Sequence, residues 1–427
     1  MTVFVPSPEV LESPRGRDLI GRARPAPRVD ALPTHADVVL VGGGLAALGM
    51  AATLWHAGVG DIVIVDRGGG IGGRFFRRAD ILRQRTLRSP YDHHPGVEGY
   101  RDCELLDFAR LCWSALTPAE KREVRMAQAG HRSVVPLDVF EAYVQHVVAV
   151  HGLTDRLWQG EVLELLPGAD EVVARTTLGD ITASSVVLCT GEERAEWPGP
   201  LPDRVHYWDD PAAVVDRPDT AVVVGAGLSG AHIVANCLAA GGRVHWVLRK
   251  QAEHYQCADV NASFFRAEGL ARFHGTAWED RLEIMQQQRV ASIMFEFRPG
   301  LRAAEADRRL IVHRGAEVVA LRAGEVNLAD GASVTGDRVV LALGTKPNVG
   351  SDLLPADVIR LRNGWPDLDE ATLAYRAAPR VHALGAAACM VLGPAARNID
   401  GHRVGVSRVA GSLLAQIAAG GKERVRA

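Results

Sequence analysis

Two apolar runs in the chain break at glycine. In ADVVLVGGG, residues 36–44, an unbroken apolar stretch of strand length runs into three glycines. Such a run predicts a strand buried on both faces, as in parallel sheets. LAALGMAATLWHAG (45–58) then carries small apolar residues at helical spacing, and DIVIVDR (61–67) returns to β-branched residues. Strand, glycine turn, helix and strand make a βαβ unit. The same order recurs in VGAGLSGAHIVANCLAAGGRVHWVLRK, residues 224–250. The apolar run 38–55 approaches membrane-spanning length, but its glycines and short leading strand argue against a span.

Other patterns extend the repeat. Residues 137–152, LDVFEAYVQHVVAVHG, have helical spacing. Residues 157–191 alternate in short runs and predict a β meander feeding a buried strand that ends at Thr190-Gly191; residues 311–344 repeat that order and end in VVLALG. A long-period internal repeat of this kind predicts an α/β chain with two Rossmann-like dinucleotide-binding domains. The second is inserted in the first, because VHALGAAACMVLG (381–393) and a closing helix follow it. The expected layout is a tail over 1–35, a first domain over 36–215 and 345–427, and a second over 216–344. Within the second domain, 251–310 reads as a helical insertion that a nucleotide domain does not need for its own sheet. The Pro- and Arg-rich first 35 residues lack periodicity and read as a poorly ordered tail or a wrapping arm.

Composition narrows the class without naming it. The chain has 427 residues, 47% hydrophobic and 23% charged, as expected of a soluble globular protein. A net charge of −3 gives no bulk pull toward nucleic acid or an anionic membrane. The six cysteines are scattered, with no Cys-x-x-Cys, which disfavours a zinc ribbon or a local redox dithiol and suits a reducing cytosol. The N-terminus has no basic start followed by an apolar core, so the expected location is cytoplasmic. Asp92-His93-His94 has metal-site residue types but no third ligand at sensible spacing. These histidines read as solvated or substrate-facing, and no metal is expected.

The glycine turns carry the chemistry. Gly42-Gly43-Gly44-Leu45-Ala46-Ala47 is G-x-G-x-x-A. Gly42 allows the tight turn, Gly44 lets a pyrophosphate approach the backbone, and Ala47 lets helix and strand pack closely. The phosphates then sit on a helix N-terminus. Asp66, at the end of the next strand, is placed to accept ribose hydroxyls, with Arg67 beside it. GGGIGGRFFRR (68–78) offers further backbone contact at Gly73 and a charge at Arg74; a flexible surface loop is the competing reading. The second turn, Gly225-Ala226-Gly227-Leu228-Ser229-Gly230, is a complete G-x-G-x-x-G, and its strand ends in Arg249-Lys250. A carboxylate there repels a 2′-phosphate, whereas an arginine binds it. An acid-ended site suits FAD and a basic one suits NADPH, so the pair implies hydride transfer from nicotinamide to flavin. The competing reading makes Arg249 a solvated strand end in an NAD site.

Taken together, these motifs resemble the class B flavin monooxygenases. ALGTKPN (342–348) resembles their Ala-Thr-Gly-Tyr-x-Pro-Asn linker, placing Gly344 and Pro347 with NADPH, while Gly191 and Gly385 fall with FAD. VNASFFRAEGLARF (260–273) resembles the Phe-Val-Asn-Glu segment of the N-hydroxylating branch, the ornithine and lysine hydroxylases; Asn261 falls on the asparagine that helps hold the substrate. A helix cap is the other reading of Asn261. RVHYWDD (204–210) is similar to that branch's Val-His-Ser segment, and Arg88 stands where flavin or substrate is expected. The Phe-x-Gly-x-x-x-His signature, the Thr-Asn-Tyr segment and the substrate-binding lysine are not found. The resemblance implies a C4a-hydroperoxide on reduced FAD and transfer of oxygen to a primary amine or amino-acid-like substrate. Its partners would be a small-molecule amine and O2, and a homo-oligomer is compatible with it. S-oxidation, Baeyer–Villiger oxygenation, a plain NAD(P)H-dependent flavoprotein reductase and a flavin-binding redox sensor are the alternatives.

Overall fold

The computed structural model describes residues 8–21, 26–95, 104–258, 260 and 267–424. Two sheets organise the chain. In the first, His35–Val41 lies between Ile62–Asp66 and the long strand Gly179–Leu188, parallel to both. Leu157–Gln159 extends one edge in parallel and Ala378–Ala383 the other. Val38, Val39 and Leu40 are fully buried, as continuous apolar strands covered on both faces must be. The hairpin of Val162–Pro167 and Val172–Thr176 pairs antiparallel with the first half of Gly179–Leu188, which is the expected meander. The small residues of helix Leu45–His56 let it pack closely on the closing helix Ile399–Arg424.

The second sheet is wholly parallel, in the order Val205–Tyr207, Arg338–Leu341, Thr220–Val224, Arg243–Leu248 and Leu310–Arg314. Three sequence expectations are corrected here. Val205–Tyr207 bonds to Val339–Leu341, so the second sheet begins ahead of residue 216. Helix Arg298–Ala306 packs on helix Leu228–Ala239 and leads directly into Leu310–Arg314, so it is the sheet's own crossover and not part of an insertion. Leu310–Arg314 is a parallel edge strand, and the antiparallel meander is Val318–Arg322, Glu325–Leu328 and Ser333–Thr335. The polar face of the crossover helix and a lone strand after it carry little sequence signal, which is why both were misplaced.

The chain passes between the sheets at Glu192–Arg194 and returns at Thr345–Pro347, and these two segments pair antiparallel. Residues 8–21 form a wrapping arm. Val10 is fully buried in the second core with Leu82, Val134 and Phe297. Arg15 donates to Asp138 at 2.6 Å and Glu141 at 3.0 Å, and Arg17 donates to Glu120 at 2.7 Å. No helix of the described residues is long and apolar enough to cross a membrane.

Candidate functional site

The two glycine turns share one construction. Gly42 has φ +100°, and a Cβ there would lie 2.6 Å from the Cys189 carbonyl oxygen. Gly225 has φ +126°, and a Cβ would run into the Ala342 carbonyl oxygen. Both positions combine a left-handed backbone with a neighbouring strand end, so only glycine fits. Gly44 and Gly227, the residues before each helix, face open space, as close approach of a pyrophosphate requires. Ala47 is buried against the first sheet, and a Cβ on Gly230 would come within 2.6 Å of the Gly225 carbonyl.

The strand ends differ as the sequence indicates, and Asp66 does more than expected. Its carboxylate accepts the Gly43 amide at 2.8 Å and the Gly68 amide at 2.7 Å, pinning both glycine loops to the strand end. Each oxygen keeps a further lone pair for a ribose hydroxyl. Gly72 N–H donates to the Gly43 carbonyl at 2.7 Å, and the next residues form helix Gly73–Ile81 in place of a flexible loop. Arg67 points away, 69% exposed and paired with Glu161. Gly73 lines a neighbouring cavity of about 280 Å³ with Gly68 and Gly70. Arg249 and Lys250 are exposed and form no ion pair among the described residues, and the Lys250 carbonyl accepts the Gly315 amide at 2.9 Å.

Between the sheets lies a cavity of about 520 Å³, within the range of small-molecule sites. It runs from Gly42, Gly44 and Asp66, past Arg74, Gly191 and Gly385, to Arg88 and His93, and reaches Ser229 on the second turn's helix. Gly344 and Pro347 lie on the returning linker, where Thr345 lines the cavity. Asn261 lies outside the described residues; its neighbour Val260 is a lining residue.

Arg88 lines the cavity and also has a structural task. Its guanidinium donates to Ser292 Oγ at 2.8 Å and to the carbonyls of Gln256 and Ala258, both at 3.1 Å. It therefore fastens the segment after Lys250 to the first domain. Burial, and then the charge of Arg78, lower the Arg74 pKa, a setting that favours an arriving anion. Arg78 stacks over Trp208 and pairs with Asp209 at 3.0 Å, tying the two sheets together at the cavity wall. Sequence reasoning missed this pair, and also the network in which Arg397 donates to Glu192 and, at 2.7 Å, to Thr345 Oγ1. These partners are far apart in the chain, so no local pattern announces them. His402, whose Nε2 would touch a Cβ on Gly385, is pushed down to about 4 by burial.

Comparisons with known proteins agree with this layout. The family model described as pyridine nucleotide-disulphide oxidoreductase matches residues 36–403. No curated relative matches the sequence. Among solved structures, an ornithine N-hydroxylase of Kutzneria sp. 744 superposes with a TM-score of 0.73 at 17% identity, covering 90% of this chain and 100% of that one. The cadaverine monooxygenase of Erwinia amylovora gives 0.70 at 15%, covering 89% and 95%. The bacillithiol disulfide reductase of Bacillus cereus gives 0.61 at 14%, covering 90% and 99%. At such identities the likeness establishes a common fold. The family match spans both glycine turns, both strand ends and the linkers between them, and the chain belongs to the pyridine nucleotide-disulphide oxidoreductase family.

Proposed function

We propose that this protein is an FAD-containing, NADPH-dependent monooxygenase that N-hydroxylates a primary amine or amino-acid-like substrate. The observation that carries the reading is that one cavity runs from the first glycine turn, with Asp66 at its strand end, to Ser229 on the helix of the second turn, whose strand leads to Arg249-Lys250. The cavity fits FAD by its open glycine at Gly44, its acid at Asp66 and the desolvated Arg74. FAD, when bound, supplies hydride acceptance from NADPH and the activation of O2.

The chain's own residues have distinct tasks. Gly42, Gly44 and Asp66 hold the adenosine half of FAD, while Arg74, Gly191 and Gly385 line its path. Gly225, Gly227, Ser229 and Gly230 receive the NADPH pyrophosphate, and Arg249 and Lys250 its 2′-phosphate. Arg88, by fastening 256–258, closes the cavity wall and limits water. Among the fold neighbours, the Kutzneria enzyme was solved with reduced FAD, NADP+ and L-ornithine, which supports an amine substrate.

A flavoprotein disulfide reductase is the second reading, favoured by the bacillithiol disulfide reductase fold match. The thiol at the cavity opposes it: burial pushes Cys189 up to about 12, so it does not supply a thiolate. The test is NADPH-driven oxygen consumption by FAD-loaded protein with cadaverine, L-ornithine or L-lysine. Hydroxylamine formation is expected; disulfide reduction with no hydroxylamine would favour the second reading.

A further inference from the structure

His93 and Asp400 meet at the cavity, and the hydride-transfer scheme uses neither. His93 follows the short strand Thr86–Leu87 and lines the cavity; its Nε2 lies 3.0 Å from Asp400 Oδ2. Asp400 sits in the first turn of helix Ile399–Arg424, where the free N–H groups favour a carboxylate. Both side chains are about four-fifths buried, with relative exposures of 18% and 19%. The other ring nitrogen of His93, Nδ1, has no hydrogen-bond partner among the described residues. Among the described residues no group of three or more His, Cys, Asp or Glu side chains is placed to hold a metal ion.

The charges around His93 set its basicity. Burial opposes the charged ring, but the hydrogen bond and charge of Asp400, with Asp92, outweigh it and raise the His93 pKa against Arg403. His402, in the same turn as Asp400, is held down to about 4 by burial. Two histidines at one cavity thus have opposed environments, and such splitting separates a working base from an inert one.

An amine substrate creates a need for a base. A primary alkylammonium has a pKa of about 10.4, so it is protonated near neutral pH and has no lone pair to receive oxygen. Resting on the monooxygenase reading, we infer that His93, oriented by Asp400, is the general base that deprotonates the amine in this cavity. The N–H bond of the ammonium breaks, and its electron pair stays on nitrogen. The proton passes to Nδ1 of His93, while Nε2–H keeps its bond to Asp400. No electrons change owner in this step. Asp400 is a positioning residue: it fixes the tautomer that leaves Nδ1 as the acceptor.

The test measures hydroxylamine formation from cadaverine, L-ornithine and L-lysine by the full-length, FAD-loaded protein, with NADPH and O2, from about pH 6 to about pH 10. His93→Gln should lower kcat/KM on the order of 10²-fold near neutral pH. Its rate should converge with wild type as the pH nears the amine's own pKa, with FAD content retained. Asp400→Asn should lower the His93 pKa and so move the acid limb of the profile to lower pH, with a smaller maximum. A His93→Gln profile identical to wild type, or a loss that does not vary with pH, overturns the general base. Absence of hydroxylamine from all three amines with the wild-type protein overturns the amine reading and the base together.

Discussion

Asp66 and Arg249 stand at the ends of equivalent strands and carry opposite charge, and the proposed division of labour between the two nucleotide sites rests on them. Asp66 holds two loop amides with charge-assisted bonds, each worth about 1.5–3 kcal/mol. Asp66→Ala should release both glycine loops, and the purified protein should retain much less FAD than wild type, measured by its absorbance against protein concentration. Full retention would mean that the acid holds neither loop nor ribose. At the other site, Arg249→Ala should raise the KM for NADPH roughly 10- to 100-fold, as loss of a charge-assisted contact does, and leave NADH nearly unchanged. Equal losses for both nucleotides would remove the 2′-phosphate assignment. The fingerprints were legible because spacing and residue type alone impose the turn. The anchoring role of Asp66 was not, because the amides it accepts belong to backbone that any residue provides. Arg88 was legible only in part for a related reason: its cavity position was foreseen, but its carbonyl acceptors come from Gln256 and Ala258, far along the chain.

The elements show where pattern reading holds and where it fails. Strands such as His35–Val41 and Thr220–Val224 are buried on both faces, and their apolar runs said so directly. Helix Arg298–Ala306 buries only Leu301 and Ala304, so its crossover role had a weak signature. The wrapping arm is the stronger case. Its order comes from carboxylates more than a hundred residues away: buried Asp138 accepts from Arg15, from Arg17 and from the amides of Gly16 and Arg17. Removing one side of a buried ion pair costs about 3–5 kcal/mol. Asp138→Ala should therefore lower the thermal midpoint clearly and make residues 8–21 sensitive to protease. A variant that melts like wild type and resists cleavage would show that the arm is held by Val10 and its apolar neighbours alone.

For the whole molecule, buried histidines set a pH dependence. Burial pushes both His232 and His402 down to about 4, whereas an unfolded histidine titrates near about 6.5. Between those values the unfolded chain binds protons that the folded chain excludes, so stability falls as the pH drops from about 6.5 to about 4. His93 works in the opposite sense: its raised pKa adds stability at low pH that is lost as pH rises through its folded value. His232→Leu, in the second core against Phe297, should flatten the acid loss seen in thermal melts. An unchanged slope would assign that loss to other groups.

The two-sheet plan, with the first glycine turn and the helix of the second at one cavity, is the arrangement that the proposed passage of a hydride between two nucleotides, and then of oxygen to a third molecule, requires. The sequence pattern indicated the two nucleotide sites; their convergence depends on the paired linkers Glu192–Arg194 and Thr345–Pro347 and on the Arg78–Asp209 contact, which only the folded chain brings together. The decisive measurement reduces the FAD-loaded protein anaerobically with one equivalent of NADPH, mixes it with O2 and cadaverine, L-ornithine or L-lysine, and counts hydroxylamine and hydrogen peroxide per NADPH. An N-hydroxylating monooxygenase yields hydroxylamine approaching one per NADPH with at least one of the amines. Complete recovery of the electrons as hydrogen peroxide, whichever amine is present, would contradict it.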